Sequence, residues 1–214
     1  MIENPMDGDF SMKRCKKWLF LVALALLVNY AAGLFADRYA LQTGLVRLHV
    51  VANSDEQDDQ EIKLKVRDAV VGLLQDSVAE LPSAEEAKTY IQSHLGVIER
   101  TVNDVLSQAG FPQKAKVTLE KEAFPTRVYD TFSLPAGVYH ALRVTIGEGE
   151  GQNWWCVLFP SLCVPASAEG FSEVAEVSGL SQDLSHTLTQ DDGSHEIRFR
   201  LLEWLGSLQN MLFS

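Results

Sequence analysis

The stretch Leu45–Val71, LVRLHVVANSDEQDDQEIKLKVRDAVV, decides the fold, because a strand, a turn and a helix follow one another within it. Its first residues alternate, with Val46, Leu48 and Val50 on one side and Arg47, His49 and Val51 on the other. This alternation predicts a β-strand with one mainly apolar face. From Asp58 onward the apolar residues recur at helical spacing, as Ile62, Val66, Ala69, Val70, Leu73 and Leu74.

The turn between strand and helix, Asn53–Asp55, is made of residues that favour turns and helix caps. Strand-to-helix turns carry many anion sites and active sites. The acidic side chains of this one would repel phosphate: Asp55, Glu56, Asp58 and Asp59. Negative charge instead suits the positive end of the helix dipole. We therefore predict a structural turn, in which Asp58 and Glu61 form an acidic variant of the capping box.

The same stretch resembles the N-terminal block of the stage II sporulation protein R family, and the run Lys63–Val70, KLKVRDAV, is part of that match. A second stretch at 147–163, GEGEGQNWWCVLFPSLC, resembles the same family. The two blocks occur in the right order, and the resemblance covers roughly Leu45 to Cys163. The C-terminal end fits less sharply.

This resemblance implies a secreted developmental signal of endospore-forming bacteria, made in the forespore and exported into the space between the two membranes. Its implied partner is a membrane-embedded aspartic protease of the mother cell. That protease processes the precursor of sigma factor E when the signal triggers it. The resemblance therefore implies a protein ligand and not an enzyme.

The N-terminus has the layout of an export signal. A basic cluster, Lys13, Arg14, Lys16 and Lys17, precedes the apolar run Trp18–Ala36, which is about long enough to span a bilayer as a helix. The positive flank places residues 1–36 as a cytoplasmic stub with a signal or anchor, and everything after Asp37 outside. Small residues such as Ala31 and Gly33 suit a cleavage site, so a cleaved signal and an uncleaved anchor both stay open.

The rest of the chain predicts an α+β domain. Two helices are expected, one to about Glu80 and one from the Ser83 cap to Ala109, followed by strands near 114–120, 127–132, 138–146 and 153–159. The glycine-rich GEGEG at 147–151 is predicted to join the last two strands as a hairpin. We expect a mainly antiparallel sheet with two or three helices on it.

The domain boundaries follow from shifts in composition. The core of the signalling domain is predicted at 37–163, and a mobile acidic segment at 164–195. An amphipathic C-terminal helix at 196–214 is predicted to complete the domain. It has few basic residues, so we expect it to pack on the sheet and not on a membrane.

Charge and motifs exclude several functions. The formal net charge of −11 disfavours nucleic acid and anionic membrane surfaces as partners. Enzyme motifs such as HExxH, G-x-S-x-G and a Walker loop are missing, and the five histidines have no ligand spacing. We expect no catalytic residue, no metal and no cofactor.

Two rival functions remain open. An exported cell-wall hydrolase would use His49, Asp55 and Asn153 as polar groups, with an exposed tryptophan as its sugar platform. A membrane-anchored structural domain of the envelope is the third reading. Trp154 and Trp155 are neighbours on a strand and must point to opposite faces, so one can be core and the other exposed.

The partner surface is predicted at the rim of the strand-to-helix turn, with His49, Asn53 and Asp55 beside Trp154. A large exposed aromatic next to polar groups has the composition of a binding hot spot.

A disulfide is predicted between Cys156 and Cys163. Both follow the export signal, whereas Cys15 precedes it and stays inside. Pro160-Ser161 would turn the chain between them, bringing their Cα atoms to the roughly 4.4–6.8 Å that a disulfide needs. Two small buried hydrophobic thiols are the alternative.

Overall fold

The computed structural model describes residues 6–129, 132–160, 163, 188 and 193–213. The chain divides into two compact units, Met1–Arg38 and Tyr39–Ser214. The helices described over their full length are α1 Met6–Gly44, α2 Gln57–Ala79, α3 Ala84–Gln108 and α4 Gly193–Phe213. The strands are β1 Val46–Val51, β2 Ala115–Phe124, β3 Arg127–Val128, β4 Ser133–Leu134, β5 Gly137–Ile146 and β6 Asn153–Phe159.

The main sheet has the order β2-β5-β1-β6. The central strand β1 runs parallel to β5 and antiparallel to β6, while β2 is antiparallel to β5. Two of the three strand pairs are therefore antiparallel, and the predicted α+β class is confirmed. A separate pair, β3 and β4, forms a short antiparallel ladder.

The predicted hairpin between the last two strands is wrong, because β1 lies between β5 and β6. Gly147 and Gly149 do turn the chain, with φ angles of 56° and 67°. The strand that follows then pairs on the far side of β1. All six residues of β1 are buried, so this strand has neighbours along both edges and cover on both faces. Alternation in sequence shows which residues share a face but not which strand lies next.

The main core lies between one face of the sheet and the helices α2 and α3. The sheet contributes Val46, Leu48 and Val50 from β1, and the helices contribute Ile62, Val66, Ile91 and Ile98 among others. Most of the apolar residues whose spacing predicted these two helices are buried, among them Val70, Leu74 and Val102, whereas Leu73 is exposed. The C-terminal helix α4 packs against β5 and β2, as predicted, but none of its described side chains belongs to this core.

The structure confirms one of the two predicted helix caps and corrects one of the predicted strands. Ser83 caps α3 by accepting a hydrogen bond from the Glu86 amide, as predicted. Asp58 does not cap α2, because the helix begins at Gln57 and its N-cap, Glu56, makes no side-chain cap bond. The single strand predicted at 127–132 is instead the start of the β3–β4 ladder, since the Tyr129 amide donates to the Phe132 carbonyl and closes a turn.

At the C-terminus, α4 spans Gly193–Phe213, so the helix predicted at 196–214 begins three residues earlier than expected. The predicted mobile acidic segment at 164–195 lies mostly outside the described residues.

The N-terminal unit consists of the larger part of α1. Its apolar side chains are largely exposed, among them Trp18, Leu21 and Leu27. The stretch Arg14–Gly44 is long and apolar enough to cross a membrane, as an export signal or an anchor would be.

Candidate functional site

The register of the strands defines two ends of the sheet. At one end Val51 pairs with Thr145 and Asn153, and the turn 52–56 and the loop 147–152 lie beyond them. We call this the turn end. At the other end Val46 pairs with His140 and Phe159, and the chain enters β1 there from α1. We call this the entry end.

Side chains of the turn bind the loop at the turn end. The amide of Asn53 donates to Asp59 over 2.8 Å, and its carbonyl oxygen accepts from the Glu148 backbone over 3.1 Å. Asp55 accepts from the backbone N–H of Gln152 over 2.8 Å. The turn is therefore fastened by its polar side chains to the loop between β5 and β6.

Two buried charges complete this network. Asp59 accepts a second hydrogen bond from the Ser54 hydroxyl over 2.6 Å. Lys63 donates through Nζ to the Gln60 side chain over 2.6 Å and to the Gln152 carbonyl over 3.1 Å. Burial lowers the pKa of Lys63, and the negative charge of Asp55 opposes that shift. These bonds give the turn a structural role.

A polar cluster lies on the second face of the sheet, which faces away from α2 and α3. His49 is its centre: Nδ1 lies 2.8 Å from Glu122 Oε1, and Nε2 lies 2.7 Å from Asn153 Oδ1. Its ring stacks on Trp155 with centroids 3.7 Å apart. Glu122 also accepts from Arg143 Nη1 over 2.8 Å. The cluster joins β1, β2, β5 and β6.

Arg47 lies on the same face, two residues before His49, and is fully buried. Its guanidinium is 4.0 Å from the centroid of the Phe124 ring and donates to the Tyr129 hydroxyl over 2.7 Å. Burial lowers the pKa of Arg47. In the part of the chain that the structure describes, its Nε and Nη1 have no hydrogen-bond acceptor.

The burial of His49 decides what the cluster can do chemically. The residue is 3% exposed and both ring nitrogens are occupied, so it is held as a structural group and is not open to a substrate. The solvent-facing fringe consists of Arg143, Asn153 and the half-buried Trp155. Among the described residues, no three His, Cys, Asp or Glu side chains converge on a possible metal position.

The four predicted partner residues do not form one patch. Asn53 and Asp55 lie together at the turn end, with Asp55 exposed. His49 is buried on the second face, and Trp154 lies on the opposite face under Arg67, whose guanidinium is 4.2 Å from the ring centroid. Both tryptophans of the pair are half-buried.

Sequence reasoning missed Glu122, Arg143 and Arg47. The first two meet His49 only through the register of separate strands, which no short spacing reveals. Arg47 did leave a signal, because a charged residue in the middle of an apolar strand needs a partner or aromatic cover.

Cys156 and Cys163 form the predicted disulfide, with their Cα atoms 5.3 Å apart. Cys156 is buried at the centre of β6, opposite Leu48 of β1. The bridge fixes the chain directly after the last strand. Cys15 is free and exposed.

These features define a class of protein. It is an α+β domain with a disulfide and a strand-to-helix turn held by side-chain hydrogen bonds, and an apolar helix able to enter a membrane precedes it. The family model for stage II sporulation protein R matches residues 42–169. The stage II sporulation protein R of Bacillus subtilis (strain 168) is 31% identical over 214 residues, covering 89% of this chain and 95% of that protein. The chain therefore belongs to the stage II sporulation protein R family. No solved structure matches it.

Proposed function

We propose that this protein is an exported sporulation signal that triggers the membrane-embedded aspartic protease of the mother cell to process the sigma factor E precursor. Its site of action is the space between the forespore and mother-cell membranes. Membership of the stage II sporulation protein R family is the observation that carries this proposal. The apolar helix near the N-terminus supports export.

The turn end is the part of the domain best suited to meet the protease. Its backbone is held in one conformation by Asn53 and Asp55, so little conformational entropy is lost when a partner binds. Asp55, Glu56 and Glu150 are exposed there and supply charge for specific recognition. His49 supports this surface from within, because its bond to Asn153 fixes the start of β6.

The rival reading as a cell-wall hydrolase needs an accessible general base. Of its candidate groups, His49 is buried and bonded at both nitrogens, and Asp55 is bound to the loop backbone. The geometry thus favours a protein ligand. Replacing His49 or Asp55 by alanine separates the two readings, because a hydrolase would lose turnover with binding retained, whereas a ligand would lose association with its partner.

Co-expression in non-sporulating cells tests the proposal. The full chain, the protease and the sigma factor E precursor are produced together, and precursor cleavage is followed by immunoblot. Cleavage that depends on the chain is expected. A chain that is exported and folded, with its disulfide formed, yet yields no cleavage would contradict the proposal.

A further inference from the structure

The C-terminal helix α4 ends in an exposed apolar turn. Met211 is 72% and Leu212 is 84% exposed, and Phe213 follows as a third exposed apolar residue. Trp204 lies two turns earlier, on the same side as Met211, and is 61% exposed. Consecutive helix residues point about 100° apart, so Met211–Phe213 cover more than half of the helix circumference. A single partner helix would cover only one stripe of α4, whereas the fluid interior of a lipid bilayer can surround all three side chains.

This turn lies at the entry end of the domain. Asn210 donates through its amide to the Phe124 carbonyl at the end of β2, over 2.7 Å. Gly206 packs directly on the Ala136 carbonyl, just before β5 begins. Gln42, near the end of α1, donates to Gln209 over 2.7 Å. The last two turns of α4 are therefore fixed beside Gln42, at the point where the chain enters the domain.

The chain reaches this point directly from its apolar run. As a helix, Trp18–Ala36 is about 28 Å long, close to the roughly 30 Å thickness of a bilayer core. Asp37 and Arg38 resume the polar sequence, and Tyr39 follows as an exposed aromatic. Tyrosine and tryptophan concentrate at the membrane–water interface. Gln42, and with it Gln209, lies about one helical turn beyond Tyr39.

The turn end has the opposite character. Asp55, Glu56, Asp58, Glu148 and Glu150 are exposed there, and their negative charges would be repelled by an anionic membrane surface. Of the two ends of the sheet, as far as their residues are described, the entry end is therefore the one at which contact with lipid is favourable.

We propose that Met211, Leu212 and Phe213 insert into the interface of the lipid bilayer that the apolar run of α1 enters. The contact is hydrophobic, since burial of these side chains and not charge attraction drives it. It therefore differs from the expectation from sequence that α4 does not meet a membrane, which considered only the scarcity of basic residues. It holds the entry end against the membrane and leaves the turn end pointing away. Across the space between two membranes, that orientation presents the turn end to a partner in the opposite membrane.

Depth-dependent quenching on the full chain tests this contact. In a Cys15→Ser background, which leaves the disulfide intact, Leu212→Cys is labelled with an environment-sensitive fluorophore without reductant. The matched control is Glu148→Cys, an exposed position at the turn end. The chain is reconstituted into phosphatidylcholine vesicles with and without nitroxide-labelled lipid.

Quenching by the labelled lipid is expected to be roughly threefold or more stronger at position 212 than at 148, because a shallowly inserted helix reaches the acyl boundary. Equal quenching at both positions would overturn the proposal. So would a fluorophore at 212 that is shielded from water but not quenched, because that result would mean a protein partner or a second copy. Neither result depends on whether the chain activates the protease.

Discussion

At the scale of single residues, Asn53 serves two elements at once. Its amide donates to Asp59 in α2, and its carbonyl oxygen accepts from the loop between β5 and β6. Asparagine was predicted here as a turn residue. In the structure its side chain also holds the turn to α2 and to the loop between β5 and β6.

Replacing Asn53 by alanine is expected to lower the free energy of unfolding by about 1–3 kcal/mol, because the buried Asp59 and the Glu148 amide both lose a partner. The measurement is a urea titration of the full chain in mild non-ionic detergent. Gln57→Ala is the control, since this exposed amide bonds to the exposed Glu61 and its loss should change stability by less than about 0.5 kcal/mol. Equal effects of the two substitutions would count against the role of Asn53.

His140 predicts a pH dependence of stability. Burial lowers the pKa of this histidine, and the positive charges of Lys88 and Lys121 lower it further, while Glu85 opposes them. A histidine with a lowered pKa contributes stability that is present above its ordinary pKa of about 6.5 and is lost as pH falls through the folded value.

His140→Gln should therefore flatten the decline of stability below about pH 6.5 relative to the unchanged chain. Lys88→Met should flatten it in part, because one repelling charge is gone. Urea titrations between neutral and mildly acidic pH give the comparison. Parallel curves for His140→Gln and the unchanged chain would refute this assignment.

At the scale of elements, periodicity predicted β1, α2 and α3 well, because each carries a regularly spaced apolar face that is buried in the core. It did not predict the order of the strands, since β1 separates β5 from β6 and alternation carries no information about neighbours. The disulfide was predictable because its two cysteines are only seven residues apart. The cluster of His49, Glu122 and Arg143 was not, because three strands must first be paired before these side chains meet.

Close packing at the turn end makes Gly151 intolerant of a side chain. A Cβ at this position would overlap the backbone carbonyl of Ser54 and lie 2.9 Å from the Ala52 Cβ. Gly151→Ala should cost roughly 1–3 kcal/mol of stability or more, since backbone must move. Gly72→Ala in α2 is the matched control, because nothing lies within 4 Å of its Cβ and alanine should stabilise that helix by about 0.5–1 kcal/mol. If the two substitutions shift the melting temperature in the same direction, the close packing described at Gly151 is wrong.

The disulfide fixes the end of β6. In a Cys15→Ser background, the denatured and unreduced chain should contain no free thiol, and two free thiols would rule the bridge out. Replacing Cys156 and Cys163 by serine should cost about 2–3 kcal/mol, because the bridge limits the unfolded chain. Urea titration of both forms provides the measurement.

At the scale of the whole molecule, the domain has two unlike ends. The entry end carries the exposed apolar turn of α4, and the turn end carries exposed acidic side chains on a fastened backbone. The proposed function, a signal that leaves one membrane and acts on a protein in another, would make use of such a polarity. We therefore propose attachment at the entry end and recognition at the turn end.

Site-specific photocrosslinking in sporulating cells is the sharpest test of whether the turn end meets the protease. A photoreactive residue is placed at Glu56 or Glu150 at the turn end, and at Gln92 on the exposed face of α3 as the control. We expect a covalent adduct with the membrane-embedded protease from Glu56 and Glu150 and none from Gln92. Adducts with the protease from Gln92 alone, or none from any position while the sigma factor E precursor is still processed, would contradict this expectation.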